Sequence, residues 1–250
     1  MHPWRLLVAN QGRLFLREPA NVFFGLAFPT VLLLGVGTLI PGMRDVISDP
    51  GVPAGLRPVD MYLPVVIALA IATTAITILP PVFGTYREKG VLRRLSTTPM
   101  PASRLLVAEI VVNAAALLAG VLVALLAFAV VFGVRAPTQP GVVVAVFALG
   151  TVQMMALGCL LAALVPTGGA ASAMGMLMYF PMLLFAGVWT PGPTMPETMA
   201  KVATYVPLGS VGQGLTEGWL GAGVPALQLV VMAAWTVVLV PLAARLFRWT

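Results

Sequence analysis

Six apolar runs govern what this chain can become. They occupy about 22–40, 62–83, 105–134, 142–165, 170–189 and 224–242. Each is close to or beyond the roughly 20 residues that a helix needs to cross a bilayer core. Lipid offers the backbone no hydrogen-bond partner, so each run must satisfy its own amides. A helix does so, and the alternation of a barrel strand is absent. The composition allows no escape into water: 60% of the residues are hydrophobic and 9% charged. Soluble domains carry about 25% charged residues. The reading is therefore an all-α integral membrane protein, one domain over 1–250 with six transmembrane helices. The third run exceeds the span length and is expected to tilt or project.

The basic residues set the orientation. Of 14 Lys and Arg, ten fall on one side: Arg5, Arg13, Arg17, Arg87, Lys89, Arg93, Arg94, Arg104, Arg245 and Arg248. Arg44, Arg57, Arg135 and Lys201 fall on the other. Cytoplasmic loops concentrate Lys and Arg, so both termini are expected in the cytoplasm. The net charge of +6 is then topological, and no basic domain is left outside the lipid to bind nucleic acid.

Residues 1–20 read as an interfacial helix. Trp4, Leu7, Val8, Leu14 and Phe15 share a face, Asn10, Arg13 and Arg17 lie opposite, and Leu6 is the exception. Arg13 and Arg17 interrupt any signal-peptide core. Glu18-Pro19 ends the helix.

The spans are nearly empty of ionisable groups. Glu109 sits at the cytoplasmic mouth of the third, Asp60 just outside the second, and no Asp, Glu, Lys, Arg or His lies near mid-membrane. Ion-coupled carriers need a titratable or ion-binding group there. Intramembrane hydrolases need a nucleophile with a base, or metal ligands. The one histidine is His2, so neither a Ser–His dyad nor a His-ligated metal in the spans is available. Cys159 stands alone in an apolar run and reads as packing. Hydroxyls such as Thr73, Thr74, Thr77 and Ser172 remain, as residues that usually bond their own backbone. No G-x-x-x-x-G-K-[ST] is present to cradle ATP phosphates, so transport energy would come from another chain.

One segment runs against this economy of charge. In "TYREKGVLRRLSTTP", Arg87, Glu88, Lys89, Arg93 and Arg94 crowd together. At helical spacing over 86–96, Val91, Leu92 and Leu95 form one face, Glu88 falls among them, and the basic residues spread opposite. An interfacial helix accounts well for the arginines and badly for a carboxylate within the apolar stripe, and on the residues alone it stands level with a docking helix. A protein surface offering a cation or a helix N-terminus accounts for both. Thr98-Pro99 reads as the cap and first position of the next helix. Pro80-Pro81 is expected to break and kink the second span.

"FGTYREKGVLRRLSTTPMPASRLLVAEI" resembles the cytoplasmic signature of ABC-2 type permeases, the membrane subunits of exporters of type V fold. The matching residues are Arg87, Glu88, Gly90, Leu92, Leu95, Thr98 and Pro99; where many relatives continue with Gly-Lys, this chain has Ala108-Glu109. "FAGVWTPGPTMPETMAKVATYVPLGSVGQGL" resembles the family's segment between the last two spans, through Gly187, Pro191, Met195, Pro196, Pro207 and Leu208.

The resemblance implies a coupling helix over about 86–96 that seats in an ATPase subunit, with Arg87, Glu88, Gly90, Val91, Leu92, Arg93, Leu95 and Pro99 as its contacts. It implies re-entrant helices over about 191–222 near the exit, with Gly187, Pro191, Pro196 and Pro207 marking the segment. It implies two ATPase copies holding ATP and magnesium, no cofactor or metal on this chain, and a second permease, as a homodimer. A pathway between the permeases would be lined by Thr73, Thr77, Met174, Met178 and Tyr179. An uncharged path suits a hydrophobic or amphipathic cargo, so efflux of a drug, antibiotic or lipid from a bacterial cell membrane is the expectation. The rival readings are an ion-coupled carrier, a lipid-metabolising intramembrane enzyme and a non-transporting scaffold.

Overall fold

The computed structural model describes residues 3–47, 55–95, 102–133 and 136–247, and every regular element among them is helical. α1 is Pro3–Arg17. Glu18 is extended and Pro19 opens α2, Pro19–Leu39. α3 is Pro58–Glu88, α4 is Val91–Leu95, and α5 is Ala102–Phe132. α6 is Pro140–Leu164 and α7 is Gly168–Phe185. Two shorter helices follow, α8 at Glu197–Tyr205 and α9 at Pro207–Leu220, before α10 at Ala226–Leu246. Among the described residues, six helices are long and apolar enough to span: α2, α3, α5, α6, α7 and α10.

The second span is longer than expected, because the charged residues at both its ends find partners within the helical bundle. At one end the Arg57 backbone N–H donates to Asp60 Oδ2 at 3.1 Å, and the guanidinium meets Asp60 Oδ1 at 2.8 Å. Arg57 also donates to the carbonyl of Phe132 at 2.8 Å and that of Gly133 at 3.1 Å, capping the last turn of α5. The hydrogen bond to Asp60 holds the Arg57 guanidinium above its ordinary pKa. Asp60 thus belongs to the helix rather than to a loop. The fifth span is shorter than expected: Gly187 takes φ +85° and stops it at Phe185.

The expected break at Pro80-Pro81 does not occur. α3 passes through both prolines, and the turn before them, Thr73–Ile78, widens to π-helical bonding. The same happens at Phe23–Ala27, just before Pro29. A proline ring crowds the carbonyl four residues back and offers no N–H. Those carbonyls belong to Gly25, Ile76 and Thr77, all within the widened turns. Glycines of neighbouring spans lie against two of them. A Cβ on Gly120 would come 2.5 Å from the Gly25 oxygen, and one on Gly175 would come 2.8 Å from the Ile76 oxygen. Gly158 presses on the Ala75 oxygen in the same way. The turns are accommodated by helices close enough to touch backbone.

α3 is the most enclosed span, surrounded by α2, α6, α7 and α9. α10 packs chiefly on α6 and turns Val237 and Val238 outward. Leu126 and Val130 on α5 and Leu177 on α7 are likewise exposed, the apolar cover that lipid solvates. α1 turns Leu7, Gln11 and Phe15 inward, while Leu14, expected on that face, is exposed.

Candidate coupling site

The charged segment is two elements joined by a turn, and this corrects the expectation of one helix over 86–96. Arg87 and Glu88 complete α3; Lys89 and Gly90 turn; Val91–Leu95 form α4. Gly90 has φ +66°, a conformation that costs a side chain with Cβ about 1 kcal/mol or more. The reversal therefore requires glycine at this point. Its carbonyl then accepts from the Arg94 N–H at 3.1 Å.

Arg87 and Glu88 point at the connection between α6 and α7. Arg87 Nη1 donates to the carbonyl of Ala162 at 3.0 Å and to that of Val165, the free end of α6. Glu88 Oε2 accepts from the Gly168 N–H, the first residue of α7, across 3.4 Å. Each charge matches the dipole end that it meets, cation to C-terminus and anion to N-terminus. The approach depends on small residues. A Cβ on Gly84 would lie 2.6 Å from the Thr167 oxygen and 2.8 Å from the Gly168 nitrogen. Thr167 completes the connection by accepting from the Ala170 N–H at 3.2 Å. The helix N-terminus that Glu88 requires is supplied by this chain.

In α4, Leu92 is buried, Val91 is half-buried like Gly90 in the turn before it, and Arg93 and Arg94 are exposed. Arg94 Nη2 reaches back to the Lys89 carbonyl at 3.0 Å. The Thr98-Pro99 cap and the side chain of Leu95 lie outside what the structure describes.

The five pathway residues do not form one open surface. The Thr73 and Tyr179 hydroxyls lie 2.7 Å apart, buried, and join α3 to α7 beside the π-helical turn. Thr77 Oγ1 donates to the Thr73 carbonyl at 2.7 Å. Met178 is half-buried and Met174 is exposed on α7. In the segment between spans five and six, Gly187 and Pro191 are buried and Pro196 is exposed. Pro207 is buried, and its carbonyl accepts from Gln153 Nε2 at 3.0 Å and from Ser210 Oγ at 2.9 Å.

Sequence reasoning singled out Glu109 but missed the polar seam to which it belongs on the same side of the molecule. Gln11, buried on α1, accepts from the Tyr86 hydroxyl at 3.2 Å. Glu109 and Asn113 are buried on α5, with Asn113 Nδ2 donating to Glu109 Oε1 at 3.2 Å. The spacing of Glu109 and Asn113, four residues on one helix face, was the available signal. Gln11 gave none, because its partner lies 75 residues away.

Six apolar helices, with a charged turn tying one span to the connection between two others, define a multi-pass membrane protein of the permease class. The chain belongs to the ABC-2 type transporter family, whose model matches residues 3–218. Comparison with curated proteins returns no match. Members of this family generally work with an ABC ATPase.

Proposed function

We propose that this chain is the membrane half of an ATP-driven exporter of hydrophobic or amphipathic molecules, paired with a second copy of itself and with two separate ATPase subunits that hold ATP and magnesium. The basic side, with both termini, faces the cytoplasm of a bacterial cell. α4 is the element that seats on the ATPase, and α8 and α9 dip into the outer leaflet.

One observation carries the reading. α4 hangs from α3 by a glycine turn, and the last turn of α3 is fastened to the α6–α7 connection through Arg87 and Glu88. A push on α4 would thus reach three spans together. The cargo path follows the α7 face with Met174 and Met178, while Thr73 and Tyr179 hold α7 to α3 behind it. Drug, antibiotic and lipid efflux are the uses that such a path suits.

The test is uptake of a fluorescent amphiphile into inside-out vesicles holding the permease and its ATPase. Uptake is expected to need ATP and to persist when ionophores collapse ion gradients. Glu88→Ala is expected to leave ATP hydrolysis in place and stop uptake. Uptake driven by an ion gradient without ATP would establish a secondary carrier instead.

A further inference from the structure

The end of the molecule far from the charged turn holds a cavity of about 850 Å³ between the end of α7, the pair α8–α9 and the start of α10. Its size falls within the roughly 300–1,000 Å³ of pockets that enclose small organic ligands. α9 is built with two faces. Leu208, Val211, Leu215 and Trp219 are buried against the bundle, while Gln213, Thr216 and Glu217 line the cavity. Phe185, Val224 and Leu227, with Leu220 one turn along α9 from Glu217, provide apolar wall.

The polar lining is largely committed before any ligand arrives. Gln213 Nε2 donates to the Ala200 carbonyl at 2.8 Å, and its Oε1 lies 2.8 Å from Thr204 Oγ1 and accepts from Gln228 Nε2 at 3.2 Å. The Thr216 hydroxyl donates to the Gly212 carbonyl at 2.8 Å. Among the described residues, three charged side chains line the space, and two cancel, because Lys201 meets Glu197 at 2.7 Å. Glu217 is the third. It is half-buried, and among the described residues its Oε1 accepts one backbone N–H, from Gly223 at 3.2 Å. A carboxylate can accept several further hydrogen bonds. The hydroxyl protons around it are already engaged, so the site offers a net negative acceptor beside an apolar wall.

From this geometry we infer that the cavity binds amphiphiles bearing a protonated amine, with the ammonium on Glu217 and the apolar body against Phe185, Leu220 and Leu227. Such a head could belong to an exported molecule or to an aminophospholipid of the outer leaflet. The inference deepens the export reading and rests on it only in treating the ligand as cargo.

The experiment is direct binding to the full-length permease in phosphatidylcholine nanodiscs without ATPase or ATP. Its outcome is therefore distinguishable from failure of the transport assay. The probe is 5-(dansylamino)pentylamine, compared with its N-acetyl derivative, which keeps the apolar body and loses the charge. The amine is expected to bind saturably, and the acetylated probe about tenfold more weakly, the size of one charge-assisted hydrogen bond. Glu217→Gln keeps an acceptor for Gly223 and removes the charge. It is expected to bring the amine to the affinity of the acetylated probe with an unchanged unfolding midpoint. Leu220→Trp narrows the cavity and is expected to weaken both probes. Equal binding of the two probes, or undiminished amine binding by Glu217→Gln, overturns the assignment. Competition by phosphatidylethanolamine in the disc identifies the lipid head as the occupant, and its absence identifies cargo. Amine selectivity stands in either case.

Discussion

Arg87 and Glu88 are adjacent in sequence yet hold the facing ends of two different helices, Arg87 on the last carbonyls of α6 and Glu88 on the first N–H of α7. The two charges do unequal work. Hydrogen bonds from a charged donor contribute about 1.5–3 kcal/mol, whereas an exposed charge at a helix end contributes about 0.3–1 kcal/mol. Arg87→Ala is therefore expected to lower thermal stability in detergent measurably. Arg87→Lys should recover part of the loss, since it keeps the charge but not the planar guanidinium that aims the two protons of Nη1 at the two carbonyls. A midpoint unchanged by Arg87→Ala would mean that the carbonyl contacts carry no stability.

Glu88 then separates stability from coupling. Its carboxylate is exposed and its bond to Gly168 is long, so Glu88→Gln is expected to shift stability by less than about 1 kcal/mol. The amide keeps an acceptor for Gly168, and transport is expected to survive in part. Glu88→Ala removes the acceptor, and ATP-dependent uptake is expected to be lost with the fold intact. Equal uptake by the two variants would show that the Gly168 contact plays no part in coupling.

The bundle was legible in this chain because composition and length decide a span. The helices found at Pro19–Leu39 and Pro140–Leu164 differ from the expected 22–40 and 142–165 by no more than three residues at any end. The charged segment was half legible. Helical spacing grouped Glu88 with Leu92, but a wheel assumes an unbroken helix, and Gly90 at φ +66° rotates α4 away from the end of α3. Gly90 was visible and its consequence was not, since no local pattern says that the glycine is used as a turn. The prolines misled for a related reason. A Pro-Pro pair in water breaks a helix, but in a bundle the freed carbonyls can rest against glycines of neighbouring spans. Partners such as Gln11 with Tyr86 join distant segments, and one sequence without its packing does not pair them.

The π-helical turn makes Gly158 the most constrained of these contacts. Its α-carbon lies so close to the Ala75 carbonyl that an added Cβ would overlap the oxygen. Backbone cannot yield as a flexible side chain does. Gly158→Ala is expected to cost at least the roughly 1–3 kcal/mol of an overpacked core. Gly169→Ala, at a glycine with open space around it, is expected to cost little by sterics. Size-exclusion profiles and unfolding midpoints of the two variants make the comparison. A well-folded Gly158→Ala with an unchanged midpoint would mean that α3 and α6 can separate freely.

The Thr73–Tyr179 contact tests whether α3 and α7 move together. Interhelical hydrogen bonds in membranes contribute on average about 0.6 kcal/mol. Tyr179→Phe leaves Thr73 bonded to the Leu69 carbonyl at 2.8 Å, so no buried group is orphaned and a small loss is expected. A double-mutant cycle with Thr73→Val should return a coupling near that size. A coupling of zero would separate the two helices energetically despite their contact.

Two ion pairs at the far end of the molecule invite opposite expectations. Lys201 and Glu197 meet at 2.7 Å but are 73% and 84% exposed, and such pairs contribute about 0–1 kcal/mol. Asp60 is 5% exposed, and its partner Arg57 also holds the end of α5. Removing one member of a buried pair costs about 3–5 kcal/mol, because the remaining charge stays buried. Arg57 is partly solvated, which places Arg57→Ala toward the lower figure and still well beyond Lys201→Ala. Added salt screens the exposed pair and barely reaches the enclosed one. Unfolding midpoints at low and high salt should therefore converge for Lys201→Ala and wild type, and stay apart for Arg57→Ala. Equal losses for the two substitutions would mean that Asp60 is solvated when its partner is gone, and that the start of α3 opens to water.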